Sequence, residues 1–80
     1  MKVREREQPT KVDGTDGTVI YEGFYNGNAT IPRYAIRKKT LDGTTWRIEW
    51  SGGSQEKSFE WSQRTSLQYS EIIGHENYQG

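Results

Sequence analysis

The fold of this chain is decided by the stretch from Tyr34 to Trp61, which reads YAIRKKTLDGTTWRIEWSGGSQEKSFEW. Apolar and polar residues alternate in three short runs, which the pairs Asp42-Gly43 and Gly52-Gly53 separate. Alternation with a period of two is typical of half-buried β-strands, and such glycine-containing pairs are typical of tight hairpin turns. We therefore predict three consecutive antiparallel strands, over residues 34–40, 45–50 and 57–61.

The length of the first turn decides which side chains share a face of the sheet. A turn made of Asp42-Gly43 alone would place Ile48 opposite Arg37. A three-residue loop, with Gly43 as a bulge at positive φ, places Ile48 opposite Ile36. Because the second arrangement keeps the apolar side chains together, we predict the bulged loop. The turn at Gly52-Gly53 can have two or four residues, since both lengths keep the aromatic side chains on one face. The predicted core consists of Trp46, Ile48, Trp50, Phe59 and Trp61.

The composition indicates one small domain with a thin core. The chain has 80 residues, of which 30% are hydrophobic, and its formal net charge is zero. That hydrophobic fraction lies below the roughly 45–50% of ordinary globular domains, so a few large aromatic side chains have to form the core. The chain has no cysteine and no long apolar run at its start. These features predict a cytoplasmic protein that does not enter a membrane.

Three regions are expected along the chain. Residues 1–17 alternate in charge and contain Pro9 and a repeated Asp-Gly-Thr, which predicts a flexible N-terminal arm. Residues 18–73 form the domain, with a first strand over residues 18–25. Residues 66–73 are compatible with a last short strand after a 3₁₀ turn or with a short helix, and we favour the strand because it would cover a sheet edge. Residues 74–80 are predicted to be a flexible tail.

The expected order of elements resembles a known architecture. A long first hairpin, two tight hairpins, a 3₁₀ turn and a last short strand resemble the small SH3-like barrel of Tudor and KOW modules. The resemblance covers about residues 18–73 and rests on strand order and length. It implies an all-β, strongly bent antiparallel sheet or barrel, and it assigns no functional residue. A twisted antiparallel sheet with one short C-terminal helix is the alternative.

Catalytic and metal sites are not expected. The chain has one histidine, His75, and no cysteine, so nucleophilic dyads and zinc sites lack their usual side chains. We therefore expect no enzyme activity, no metal and no cofactor.

Two surfaces are candidates for binding. The core is too small to bury every aromatic residue, so an exposed aromatic groove is predicted from Tyr21, Phe24, Tyr25, Tyr34 and Tyr69. A basic face of the sheet is predicted from Arg33, Arg37, Lys39 and Arg47.

The neutral net charge favours a protein partner over nucleic acid. We predict a non-catalytic protein-interaction domain, such as an accessory subunit or an inhibitor, that uses the aromatic groove. A nucleic-acid-binding SH3-like module that uses the basic face is the first alternative. The second is a homo-oligomeric structural subunit, which the thin core suggests.

Overall fold

The computed structural model describes residues 1–14 and 16–72 and contains a five-stranded antiparallel sheet. The strands follow one another in the sheet in chain order, β1 to β5. Their bounds are Lys11–Asp13 for β1, Val19–Tyr25 for β2, Tyr34–Asp42 for β3, Thr45–Ser51 for β4 and Tyr69–Ser70 for β5. One 3₁₀ turn, Trp61–Gln63, lies between β4 and β5.

The prediction of an all-β domain is confirmed, whereas the barrel is not. β1 and β5 lie at opposite edges of an open sheet and do not pair with each other. The sheet is open, so the SH3-like barrel remains a prediction. The predicted last strand is present as β5, and the described part of residues 66–73 has no helix. The predicted strand end at Ile73 and the predicted tail, residues 74–80, lie outside the described residues.

The hairpin between β3 and β4 has a different register from the predicted one. Asp42 pairs with Thr45, so the turn consists of Gly43 and Thr44 alone and has no bulge. The positive φ predicted for Gly43 is confirmed at 66°. Glycine at the first position of a two-residue turn suits the twist of a hairpin, which explains why the shorter turn forms. The shift places Arg37 opposite Trp50 and Lys39 opposite Ile48.

The prediction of a third strand over residues 57–61 is wrong. Gly52 and Gly53 both have positive φ, at 62° and 64°, and they turn the chain away from β4. Phe59 instead forms an isolated bridge with Tyr34 at the start of β3, and Trp61 begins the 3₁₀ turn. The place beside the end of β4 is taken by β5, which pairs with Trp50 and Ser51.

The register divides the sheet into two faces. One face, here called the arm face, carries the buried residues Phe24, Ala35 and Trp50 together with Arg37. The N-terminal residues cover it. The Val3 amide donates to the Gln55 carbonyl over 3.0 Å, and the Val3 side chain packs against the buried cluster.

Residues 1–17 were predicted to be a flexible arm that lies outside the domain. In the structure their described part packs on the sheet and supplies β1. The Lys57 amide donates to the Met1 carbonyl over 2.7 Å, and the Thr10 amide donates to the Gly23 carbonyl over 2.8 Å. These contacts join the start of the chain to residues far along it.

The opposite face, here called the tyrosine face, carries Tyr21, Tyr25, Tyr34 and Tyr69. Trp61 packs directly over Gly23 on this face. A Cβ atom built on Gly23 would lie 2.7 Å from Cε3 of Trp61 and 3.1 Å from Cδ2 of Tyr34. The glycine is therefore needed for the close approach of the indole ring.

Gly23→Ala is expected to lower the free energy of unfolding by about 1–3 kcal/mol, because the added methyl group forces Trp61 or β2 to move. Gly14→Ala is the matched control, since the nearest atom to its Cβ is Ile20 Cγ1 at an ordinary 3.6 Å. Urea unfolding of both variants measures the difference. Equal stabilities would show that the Trp61 ring shifts at no cost.

Two residues of the predicted core are exposed. Trp46 is 41% exposed and Ile48 is 47% exposed, whereas Trp50 on the same strand is 5% exposed. The predicted core position is confirmed for Trp50 and is wrong for Trp46 and Ile48. The three residues differ in exposure because the buried cluster, with Val3 and Ile72 packed against it, lies at the Trp50 end of β4.

Candidate functional site

The four predicted basic residues do not form one face. Arg37 and Lys39 lie on the arm face and share the carboxylate of Glu22, at 2.7 Å from Arg37 Nε and 3.5 Å from Lys39 Nζ. Arg47 pairs with Thr40, so its side chain lies on the tyrosine face. Arg33 precedes β3, and its guanidinium donates to the Pro32 carbonyl over 2.9 Å. The observed register of the hairpin differs from the predicted one by three residues, and this shift separates the set.

Glu22 is the residue that sequence reasoning missed at this place. It is 9% exposed and lies on the strand next to Arg37. Its carboxylate forms ion pairs with both of the cations that were expected to attract phosphate. The bulged loop predicted from the sequence would also have placed Arg37 opposite Arg47, whereas in the structure Arg37 lies opposite Trp50.

The predicted aromatic groove is partly assembled. Tyr21, Tyr25, Tyr34 and Tyr69 share the tyrosine face, but Phe24 lies on the arm face and is buried. The rings form two groups. Tyr21 and Tyr69 have ring centroids 5.8 Å apart, and Tyr34 lies 5.4 Å from Tyr25 and 6.0 Å from Trp61.

Residues 59–67 cover much of this face. The guanidinium of Arg64 lies 4.7 Å from the Trp61 ring, and its Nε lies 3.0 Å from Oδ2 of Asp13. The Tyr69 hydroxyl donates to the Arg64 carbonyl over 2.6 Å. Burial raises the pKa of Tyr69 well above its usual value, with a further contribution from Tyr21, while the charge of Arg64 opposes the shift. The tyrosines therefore act mainly as packing residues beneath this segment.

A cavity of about 370 Å³ lies between the N-terminal residues and the arm face. Its floor is Phe24 and Trp50, and the Arg37 guanidinium lies 5.1 Å and 5.5 Å from their rings. Arg6 is on the rim with φ at +65°, an uncommon conformation for a residue with a side chain. The other rim residues are the uncharged Val3 and Gln55 and the charged Arg4, Glu5 and Glu7.

Glu7 stabilises the N-terminal residues that form one wall of this cavity. Its Oε2 lies 2.6 Å from Nζ of Lys57, and its Oε1 accepts the Arg4 amide over 2.9 Å. Burial alone would raise the pKa of Glu7, but the Arg4 amide, the Lys57 ammonium and the charge of Arg4 together hold it below the usual 4.5. The ionised carboxylate is therefore the form that the folded arm stabilises.

The contribution of Glu7 to stability is expected to depend on pH. Since its pKa is lowered in the folded state, the contribution is complete above the usual pKa of 4.5 and is lost as the pH falls through the lower folded value. Glu7→Gln should lower stability at neutral pH and reduce the loss on acidification. Hydrogen exchange of the Val3 amide, followed across the acidic pH range, measures the stability of the folded N-terminal residues in each variant. Glu5→Gln, at an exposed neighbour, is the control. An unchanged acid loss in Glu7→Gln would contradict the assignment.

The exposed apolar surface lies elsewhere, at the far end of β4. Trp46 pairs with the half-buried Leu41, and both side chains lie on the arm face beside Ile48. We call Leu41, Trp46 and Ile48 the tryptophan patch. The other large exposed apolar residues, Met1, Val12 and Ile31, lie outside it. The alternation of β4 indicated that Trp46 and Ile48 share one face of the strand. Alternation does not show whether the rest of the chain covers that face.

Comparison of the chain with models of protein families, with curated proteins and with solved structures finds no match. Within residues 1–14 and 16–72, no cluster of three or more His, Cys, Asp or Glu side chains is placed to hold a metal ion. The same residues include no helix with the length and apolar character needed to cross a membrane.

Proposed function

We propose that this chain is a non-catalytic protein-interaction domain that binds its partner through the tryptophan patch. The observation that carries the proposal is the exposure of Trp46 and Ile48, two large apolar side chains side by side on one face of β4. Fully burying a side chain of this kind yields about 1.5–3 kcal/mol. Tryptophan is also among the residues most enriched at the centres of protein interfaces.

The tryptophan patch suits this role better than the predicted tyrosine groove. Tyr34 is 9% exposed and packs beneath Trp61, whereas Trp46 keeps much of its ring free. Lys39 lies opposite Ile48, so the patch has a polar neighbour of the kind found at interface rims.

Nucleic-acid binding through Arg33, Arg37, Lys39 and Arg47 has weaker support. Glu22 lies within ion-pair distance of Arg37 and Lys39, and Glu49 lies 3.7 Å from Arg47 Nε. A phosphate would have to compete with carboxylates that are already in place. Phosphate contacts would also give a steep loss of binding with added salt.

Photo-crosslinking tests the proposal. Trp46 is replaced by benzoylphenylalanine in the full chain, which is irradiated in its own cells, and the adducts are identified by mass spectrometry. The same replacement at Val12, 62% exposed on the opposite edge strand, is the matched control. Protein adducts from position 46 and none from position 12 are expected. Nucleic-acid adducts, or equal adducts from both positions, would overturn the proposal.

A further inference from the structure

Within residues 1–14 and 16–72, no strand pairs with the outer edge of β4 over most of its length. β5 pairs only with Trp50 and Ser51, the last two residues of β4. Beside residues 45–49, the described part of the chain places no strand on the side away from β3. This edge runs along the tryptophan patch.

The backbone groups of Trp46 and Ile48 point out from this edge. The Leu41 amide donates to the Thr18 carbonyl over 2.7 Å, on the β2 side, so Leu41 and Trp46 form a non-hydrogen-bonded pair. In an antiparallel strand the direction alternates with each residue, so the amide and carbonyl of Ile48 also point away from β3. The edge therefore offers the amides and carbonyls of two residues to a further strand.

The side chains of this edge do little to block such pairing. Natural sheets protect free edges with proline, bulges, very short strands or charged side chains. Residues 45–49 contain no proline and pair in continuous register with β3. Their two charged side chains, Arg47 and Glu49, have opposite signs and pair with each other at 3.7 Å. The opposite edge strand, β1, has three residues, Lys11, Val12 and Asp13, and two of them are charged. β4 is thus the edge suited to strand addition.

We infer that the β4 edge pairs antiparallel with the β4 edge of a second copy of this chain, about a twofold axis at Arg47. This inference rests on the proposed interaction role of the tryptophan patch. In this register Trp46 of each copy lies opposite Ile48 of the other. Two outward amides from each copy then form four hydrogen bonds. The two patches become one continuous apolar strip on the arm faces.

The charges of the edge accommodate this register. The two Arg47 side chains lie opposite each other, which by itself disfavours the pair. Each Arg47 already has Glu49 of its own chain at 3.7 Å, and Glu49 of the second copy becomes its diagonal neighbour. The two arginines and two glutamates form a neutral group on the tyrosine faces.

The length of the free edge also favours a second copy in this register. A twofold axis at Ile48 would place Trp46 of the second copy beside Trp50, where Ser70 already pairs. An axis at Arg47 uses all of residues 45–49 in both copies and stops before β5. The same surface serves both copies, as a twofold interface requires.

Sedimentation of the full chain over a millimolar-to-micromolar dilution series tests the inference. The average mass is expected to approach twice that of the monomer at high concentration. Ile48→Lys, which places a charge on the edge, should abolish this doubling. Val12→Lys adds the same charge to the other edge strand and should leave the doubling unchanged. Arg47→Thr removes the opposed charges and should shift the dimer to lower concentration.

Amide exchange reports the register separately. Trp46 and Ile48 amides should gain protection as concentration rises, while Arg47 and Glu49 amides, which face β3, should be protected throughout. A monomer at every concentration, or a dimer that Ile48→Lys leaves intact, would overturn the inference. Protection of Trp46 and Ile48 at every concentration would also overturn it, because the chain itself would then cover the edge. If position 46 crosslinks to a different protein and the chain stays monomeric, the dimer fails and the proposed function stands.

Discussion

Trp50→Ala is expected to lower the free energy of unfolding by about 3–5 kcal/mol, the usual cost of removing a buried aromatic side chain. Trp50 is 5% exposed, and its ring lies 5.5 Å from the Phe24 ring in the cluster that also holds Ala35. Small domains have only about 5–15 kcal/mol of stability in total, so the variant should be close to unfolding at room temperature.

Trp46→Ala is the matched control for this prediction. It removes the same side chain from the same strand and the same face, but from a position that is 41% exposed. We expect its cost to be well below that of Trp50→Ala. Urea unfolding followed by far-ultraviolet circular dichroism measures both. Equal costs for the two variants would show that the tryptophan patch is covered in solution, and would count against its assignment as a binding surface.

Lys57→Met is expected to have the second largest effect, about 3 kcal/mol. The Lys57 side chain is 4% exposed and lies 2.6 Å from the Glu7 carboxylate. Breaking a buried pair by removing one partner typically costs about 3–5 kcal/mol, because a charge is left without its counterion. The expected value is at the low end of that range, since Glu7 keeps the hydrogen bond from the Arg4 amide.

The double variant Lys57→Met, Glu7→Gln identifies the cause of the loss. With no charge left unpaired, it should be more stable than Lys57→Met alone. The coupling energy is the stability change of the double variant minus the sum of the changes of the two single variants. Lys2→Ala, an exposed lysine on the same arm, should change stability little. Amide exchange of Val3 reports whether the arm stays in place. Additive effects of the two substitutions would mean that the ion pair does not hold the arm.

The strands were predictable because their signal is local. Alternation in residues 34–42 and 45–51 arises from the two-residue period of the backbone, whatever lies on either side. The positive φ of Gly43 was predictable for the same reason, since the sequence of the turn limits its geometry. The sequence of residues 57–61 had the same alternation, yet two left-handed glycines before it directed it out of the sheet.

The candidate surfaces were less predictable, because they depend on register and on distant contacts. A shift of three residues, an odd number, between the predicted and the observed register of β3 and β4 placed Arg37 and Lys39 on one face and Arg47 on the other. The observed register pairs Arg37 with Trp50 on the apolar arm face, which the pattern of β3 and β4 did not predict. Glu22 of β2 lies 2.7 Å from the guanidinium and supplies its counterion there.

By itself, the sequence determined that this protein is a small all-β chain with tight glycine turns and a thin aromatic core. The tertiary structure decided which parts of the sheet are covered. The charged N-terminal residues have little tendency to fold alone, and they reach the arm face through contacts such as Glu7–Lys57, which are 50 residues apart in the chain. Those contacts bury Trp50 but do not extend to Trp46, and this difference in coverage, which no local pattern encodes, leaves the tryptophan patch exposed.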